Sequence, residues 1–169
     1  GLYAMGEPVP GSVVDYLYGL QNDDGGWAWN EWGAESEVQH TATVVQALLA
    51  AGADAAGPEL ADALALIASG KNAGGGYAYT PGGPSDVATT AYVLQARLAS
   101  GAGPGDNWCS EVDCVYLLGV QQPDGSFPAY SALYATQEVV PALMHRPLGP
   151  LADWSYTCFK LYLPGVWVE

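Results

Sequence analysis

Positive charge is the scarcest property of this 169-residue chain: Lys71, Arg97, Arg146 and Lys160 stand against eighteen acidic residues, for a formal charge of −14. Nucleic-acid phosphates and anionic lipid surfaces are held by clusters of Lys or Arg, so neither partner fits. No apolar run reaches the ~20 residues of a helical membrane span. Three cysteines, Cys109, Cys114 and Cys158, show no metal-binding spacing, and neither a metal nor a cofactor is expected. Cys109 and Cys114 lie roughly 140° apart on a helix, so they pair only if Cys109 stands outside it; Cys158 could bridge to either. An odd count leaves at least one thiol outside any internal bridge, and buried, inert cysteines are the expectation. The start, "GLYAMG", has no initiator Met, basic region or apolar leader. It reads as a processed chain or a piece of a longer one.

Apolar residues are plentiful. Half the chain is hydrophobic, enough for one folded domain that buries roughly two-thirds of its unfolded surface. The pattern repeats. "GLQNDDGGWAW" (19–29) aligns with "SGKNAGGGYAY" (69–79) and "GVQQPDGSFPAY" (119–130), placing Gln21, Lys71 and Gln121 at intervals of fifty. Gly25, Gly75 and Gly125 keep the same register, as do Trp27, Tyr77 and Phe127. A second block follows each turn: "HTATVVQALLAAG" (40–52), "TTAYVLQARLASG" (89–101) and, more loosely, "ATQEVVPALM" (135–144). Self-similarity at this period marks an array of one supersecondary unit.

Each unit reads as two helices, with units at about 10–52, 58–101 and 106–145 inside a repeat domain 1–152, followed by a tail, 153–169. Ser12 is expected to cap the first helix, with Val13, Leu17 and Leu20 at helical spacing. The glycines after Gln21 are expected to end it. The second helix is predicted near 36–51, stopping at Gly52. In the second unit Pro58 opens one helix and Ser85 caps the other. Asp106 or Asn107 caps the fifth helix, which runs to about Val120. The sixth spans about 132–144, with Pro141 expected to kink or fray its end. The aromatic after each turn reads as a structural staple, because a large flat side chain buries much area with little rotamer entropy to lose.

Helix, Gln, polar spacer, Gly and aromatic in this order resemble the QW-type repeat of squalene and hopene cyclases. The unit also looks like those of protein prenyltransferase β subunits, the complement thioester domain and cobalamin carriers. The resemblance implies an all-α fold, an α/α toroid with inner and outer helices around a cavity, of which three units make about half. It also places the start of each second helix at the cavity. Class II terpene cyclases carry D-x-D-D-T-A there, and the middle Asp protonates the substrate. This chain has "EVQHTA" (37–42), with Glu37 in the first slot, Gln39 in the acid's and His40 in the last. "DVATTA" (86–91) keeps Asp86 but puts Ala88 in the acid's slot. An amide cannot donate the proton that opens an alkene or epoxide. The prenyltransferase Asp-x-Cys is missing: Asp113 and Cys114 are adjacent and precede their turn. The thioester Gly-Cys-Gly-Glu-Gln is missing too.

By the same resemblance Glu37, Gln39 and His40 face the cavity mouth, where Glu37 can hold the imidazole charged or fix its tautomer. Trp29, Trp32, Tyr79, Tyr130 and Tyr134 follow the turns, where a rim would lie. Such a rim suits a prenyl chain, a sugar face or a flat cofactor as ligand, and it equally suits ordinary packing. His145 reads as a loop residue. Two functions stay open. One is a non-catalytic ligand- or partner-binding domain of a secreted or cell-surface protein. The other is part of a terpenoid cyclase or prenyltransferase-like enzyme whose catalytic residues lie elsewhere. Three units leave apolar edges, so self-association or further repeats upstream are expected to cover them.

Overall fold

The structure is a computed structural model describing residues 8–101 and 112–143. Six helices are described: α1 (Gly11–Gly19), α2 (Val38–Ala50), α3 (Pro58–Ser69), α4 (Val87–Ala99), α5 (Val112–Val120) and α6 (Ala132–Leu143). A two-residue hairpin, β1 (Tyr77–Ala78) with β2 (Ser85–Asp86), precedes α4. The expected all-α repeat architecture is present. None of the described helices is long and apolar enough to cross a membrane.

α2, α4 and α6 pack side by side as one row, and α3 and α5 lie on α2 and α4. Each of these two outer helices therefore leans on the inner helix of the unit before it. Val38, Val45, Leu48, Leu60 and Ile67 share one buried cluster with Trp27 and Tyr77; Leu94, Leu117, Phe127 and Val139 belong to a second. The chain is thus continuous in its packing from unit to unit, as a repeat array requires.

The three turns share one wiring. Gly25, Gly75 and Gly125 donate their N–H groups to the carbonyls of Asn22, Asn72 and Gln122 at 2.9, 3.0 and 2.9 Å. All three glycines have φ of 86–87°, a left-handed geometry that favours a residue without Cβ. The aromatic two residues on is 1–4% exposed in each case. Its backbone N–H donates to a threonine hydroxyl on the following inner helix: Trp27 to Thr41 at 3.0 Å, Tyr77 to Thr90 at 2.8 Å, Phe127 to Thr136 at 3.0 Å. Each turn is therefore fastened to its own second helix.

The turns also fasten neighbouring units. Gln21 Nε2 donates to the Gly25 carbonyl at 2.7 Å and to the Glu59 carbonyl, at the start of α3, at 2.8 Å. Lys71, in the equivalent place, reaches Asp113 of α5 at 3.0 Å. Arg97 reaches the same carboxylate at 3.2 Å. Asp113 is fully buried, so the pair that looked like misplaced metal ligands instead carries an ion triad between the second and third units.

Three local expectations are corrected. α1 starts at Gly11 with Pro10 in the cap position and no side-chain cap, so Ser12 lies inside the helix. Ser85 does not cap α4. Its hydroxyl is held between the Asn72 amide and the Gly75 carbonyl, and Asp86 caps the helix by accepting from Thr89 N at 2.7 Å. Gly25 does not end α1 either, because the helix stops at Gly19 and the left-handed glycine belongs to the turn beyond. Pro58 at the first turn of α3 and Gly52 after α2, at φ 91°, stand as expected. Pro141 lies inside α6, two residues before its end. Asp106, Asn107, Cys109, His145, Arg146, Cys158 and the 153–169 tail lie outside the described residues.

Candidate functional site

The starts of the three inner helices lie together, and the backbone explains why. Val38 N, in the first turn of α2, donates to the Tyr79 carbonyl at 2.9 Å, and Glu37 N donates to the Trp27 carbonyl at 3.1 Å. The second unit's turn is thereby laid against the start of the first unit's inner helix. Tyr79 meets His40 as a result, edge to face at 5.8 Å between ring centroids, with its hydroxyl 3.4 Å from Nδ1.

Glu37 occupies the N-cap position of α2 but does not cap it. Its carboxylate turns to His40 instead, with Oε2 3.4 Å from Nδ1. That oxygen is buried and has no hydrogen-bond partner. Asp86, the same position one unit on, spends its carboxylate on the cap and on the Thr89 hydroxyl at 2.7 Å. One motif position thus does two jobs, and only in the first unit is its carboxylate turned to an imidazole.

Gln39 is used at both ends of its amide. Nε2 donates to the Tyr134 hydroxyl at 3.3 Å, and Oε1 lies 3.3 Å from the Thr89 hydroxyl, sharing its one proton with the shorter bond to Asp86. Tyr134 in turn shares a 2.9 Å hydrogen bond with the Tyr92 hydroxyl. A polar chain therefore runs across α2, α4 and α6 at the level where the acid would stand. Burial raises the Tyr79 phenol pKa above its ordinary value, and the charges of Glu37 and Asp86 raise it further. Burial, the Tyr134 hydrogen bond and the Glu138 charge hold the Tyr92 phenol far above its ordinary range. Both phenols stay neutral near pH 7 and act as hydrogen-bonding groups beside carboxylates.

Five of the eight residues singled out from the sequence are brought together: Glu37, Gln39, His40, Tyr79 and Tyr134. Trp29, Trp32 and Tyr130 stay apart, strongly exposed, and none of the three side chains joins the hydrogen-bond chain. Within a single unit, the sequence pattern by itself singles out neither Thr89 nor Tyr92. Alignment of the second blocks carried the signal: Thr89 matches His40, and Tyr134 fills the acid's slot in the third unit, as Gln39 does in the first. The two cations among the described residues, Lys71 and Arg97, both reach Asp113 on the outer side. The inner cluster is therefore aromatic, hydroxylated and acidic.

No family model matches the chain. It is similar to two drimenyl diphosphate synthases. The one from Streptomyces showdoensis is 32% identical over 146 residues, covering 83% of this chain and 26% of that protein. The one from Streptantibioticus cattleyicolor is 29% identical over 119 residues, covering 70% and 22%. The chain spans about a quarter of the length of these relatives. Among solved structures, the type II terpene cyclase MstE from Scytonema, in its apo form, shares the fold. Its TM-score is 0.53 at 20% identity, over 78% of this chain and 39% of that one. The helix-pair array is of the terpenoid-cyclase type.

Proposed function

We propose that this chain forms one wall of an isoprenoid-binding cavity of the type II terpene-cyclase kind, and that this wall holds the hydrocarbon without supplying the initiating proton. One observation carries the reading: the acid's slot in the first unit holds Gln39, with both ends of its amide hydrogen-bonded to Thr89 and Tyr134. A carboxylic acid poised to protonate an alkene would need its proton directed at the substrate. An amide tied to two hydroxyls instead fixes the geometry of a binding surface. The cyclase-type relatives support this reading over a surface-protein scaffold, and the proton source then lies in another part of a longer protein.

A second reading rests on Glu37. Its unpartnered buried oxygen beside His40 makes it the nearest substitute acid in the cluster. The two are separated by one set of assays. The chain binds farnesol, read by quenching of tryptophan fluorescence, and Tyr134→Ala weakens binding about tenfold, the worth of one hydrogen bond and an aromatic contact. Incubation with squalene or with farnesyl diphosphate yields no cyclic product by mass spectrometry. Absence of farnesol binding overturns the proposal. Cyclic product lost on Glu37→Gln establishes the second reading in its place.

A further inference from the structure

The inner helices are linked by a glutamine ladder that the turn motifs do not reveal. Gln46 of α2 reaches across to the Tyr92 carbonyl of α4 at 3.3 Å, and Gln95 of α4 reaches the Glu138 carbonyl of α6 at 2.9 Å. Both glutamines are buried. They hold the same place in "VVQAL" and "VLQAR", and the third unit has "VVPAL" there, with Pro141. Proline has no side-chain donor, so the ladder cannot be continued beyond α6. The row has a direction: each helix gives from its Gln and accepts at the carbonyl three residues before the next Gln position.

At the other end the row begins with an acceptor. Thr43 of α2 stands where Tyr92 stands in α4, and Ala47 where Ala96 stands. On α4 this side is covered by α2: Ala96 is fully buried and Tyr92 is half-buried. On α2 the matching Thr43 and Ala47 are exposed. The same helix face is thus an interface one unit on and bare here, shaped by small residues for the close approach of another helix.

We propose that the open side of α2 is the docking face for the inner helix of one more helix-pair unit, carried in a longer protein, whose Gln at the 46/95 position donates to the Thr43 carbonyl. Continuity with the α2–α4 interface supports this occupant, as does the length of the relatives, of which this chain spans about a quarter. A second copy of the chain does not fit, because the α6 end that it would offer carries Pro141. The face is independent of any ligand in the cavity.

The test adds a unit to the full chain. A copy of residues 53–101, which contains α3, α4 and Gln95, is fused ahead of Gly1. The connector to α1 then has the same length as the one between α4 and α5. The fusion unfolds in a single transition with a midpoint at least about 4 °C above the chain alone, the shift expected of a unit that docks. Ala47→Trp removes that gain in the fusion and leaves the melting of the chain alone unchanged. The same copy fused after Glu169 gives no gain. An unshifted midpoint, a separately melting added unit, a gain that survives Ala47→Trp, or an equal gain from the C-terminal fusion each overturns the proposal.

Discussion

Trp27→Ala lowers the unfolding free energy by about 3–5 kcal/mol, the cost of emptying a buried aromatic site. Trp27 is 2% exposed and packs in the cluster formed by Val38, Val45, Leu60 and Ile67. Its indole Nε1 donates to the Leu17 carbonyl at 2.7 Å, tying the turn back to α1. Alanine keeps the backbone bond to Thr41 but removes the ring and this second tether, and the Leu17 carbonyl loses its indole donor. Trp29, two residues on, is 70% exposed, and Trp29→Ala stays within about 0.5 kcal/mol of the parent, as surface changes usually do. Urea unfolding of the two variants reads the difference directly. Equal midpoints would contradict the staple role of the turn aromatics.

Asp113→Asn costs about 2–4 kcal/mol, because a buried carboxylate that serves two cations is replaced by a neutral amide. Oδ2 receives Lys71 at 3.0 Å and Arg97 at 3.2 Å, and Oδ1 accepts from the Gly76 N–H at 3.4 Å. The cost stays below that of a fully enclosed pair because the Lys71 side chain is 45% exposed and can turn to water. Burial disfavours the Lys71 ammonium, but Asp113 outweighs it and raises the lysine pKa. The lysine's contribution is therefore present at neutral pH and is lost as pH rises through the raised value. Urea unfolding at pH 7 is the check, and a loss below about 0.5 kcal/mol would mean that the triad does not join the units.

The repeat was legible because it rests on residues with few substitutes. A left-handed turn needs glycine, a staple needs a large flat ring, and both recur at intervals of fifty. Helix starts were less legible, since Ser, Asp and Pro compete for them and tertiary contacts decide. Ser85 was drawn to Asn72 and Gly75, which left the cap of α4 to Asp86. Asp113 stands beside Cys114 in the sequence, whereas its partners Lys71 and Arg97 are 42 and 16 residues away. At the site, Glu37, Gln39 and His40 were found from their slot in the motif. Tyr92 and Thr89 join them only through packing between units, and Trp29, Trp32 and Tyr130 drew attention by aromaticity alone. The Gln46 and Gln95 ladder was in plain sight in the aligned blocks, but a glutamine in an apolar helix gives no sign of which neighbour it reaches.

The central claim is that the inner-helix starts form the isoprenoid-binding wall, and its most direct test is where a ligand sits. Isotope-labelled chain titrated with farnesol is followed by heteronuclear NMR. The account predicts that the largest perturbations fall on Gln39, His40, Tyr79, Thr89, Tyr92 and Tyr134, with intermolecular contacts from the isoprenoid methyls to the Tyr79 and Tyr134 rings. Perturbations centred on Trp29, Trp32 and Tyr130 instead, with the inner cluster unmoved, would contradict it.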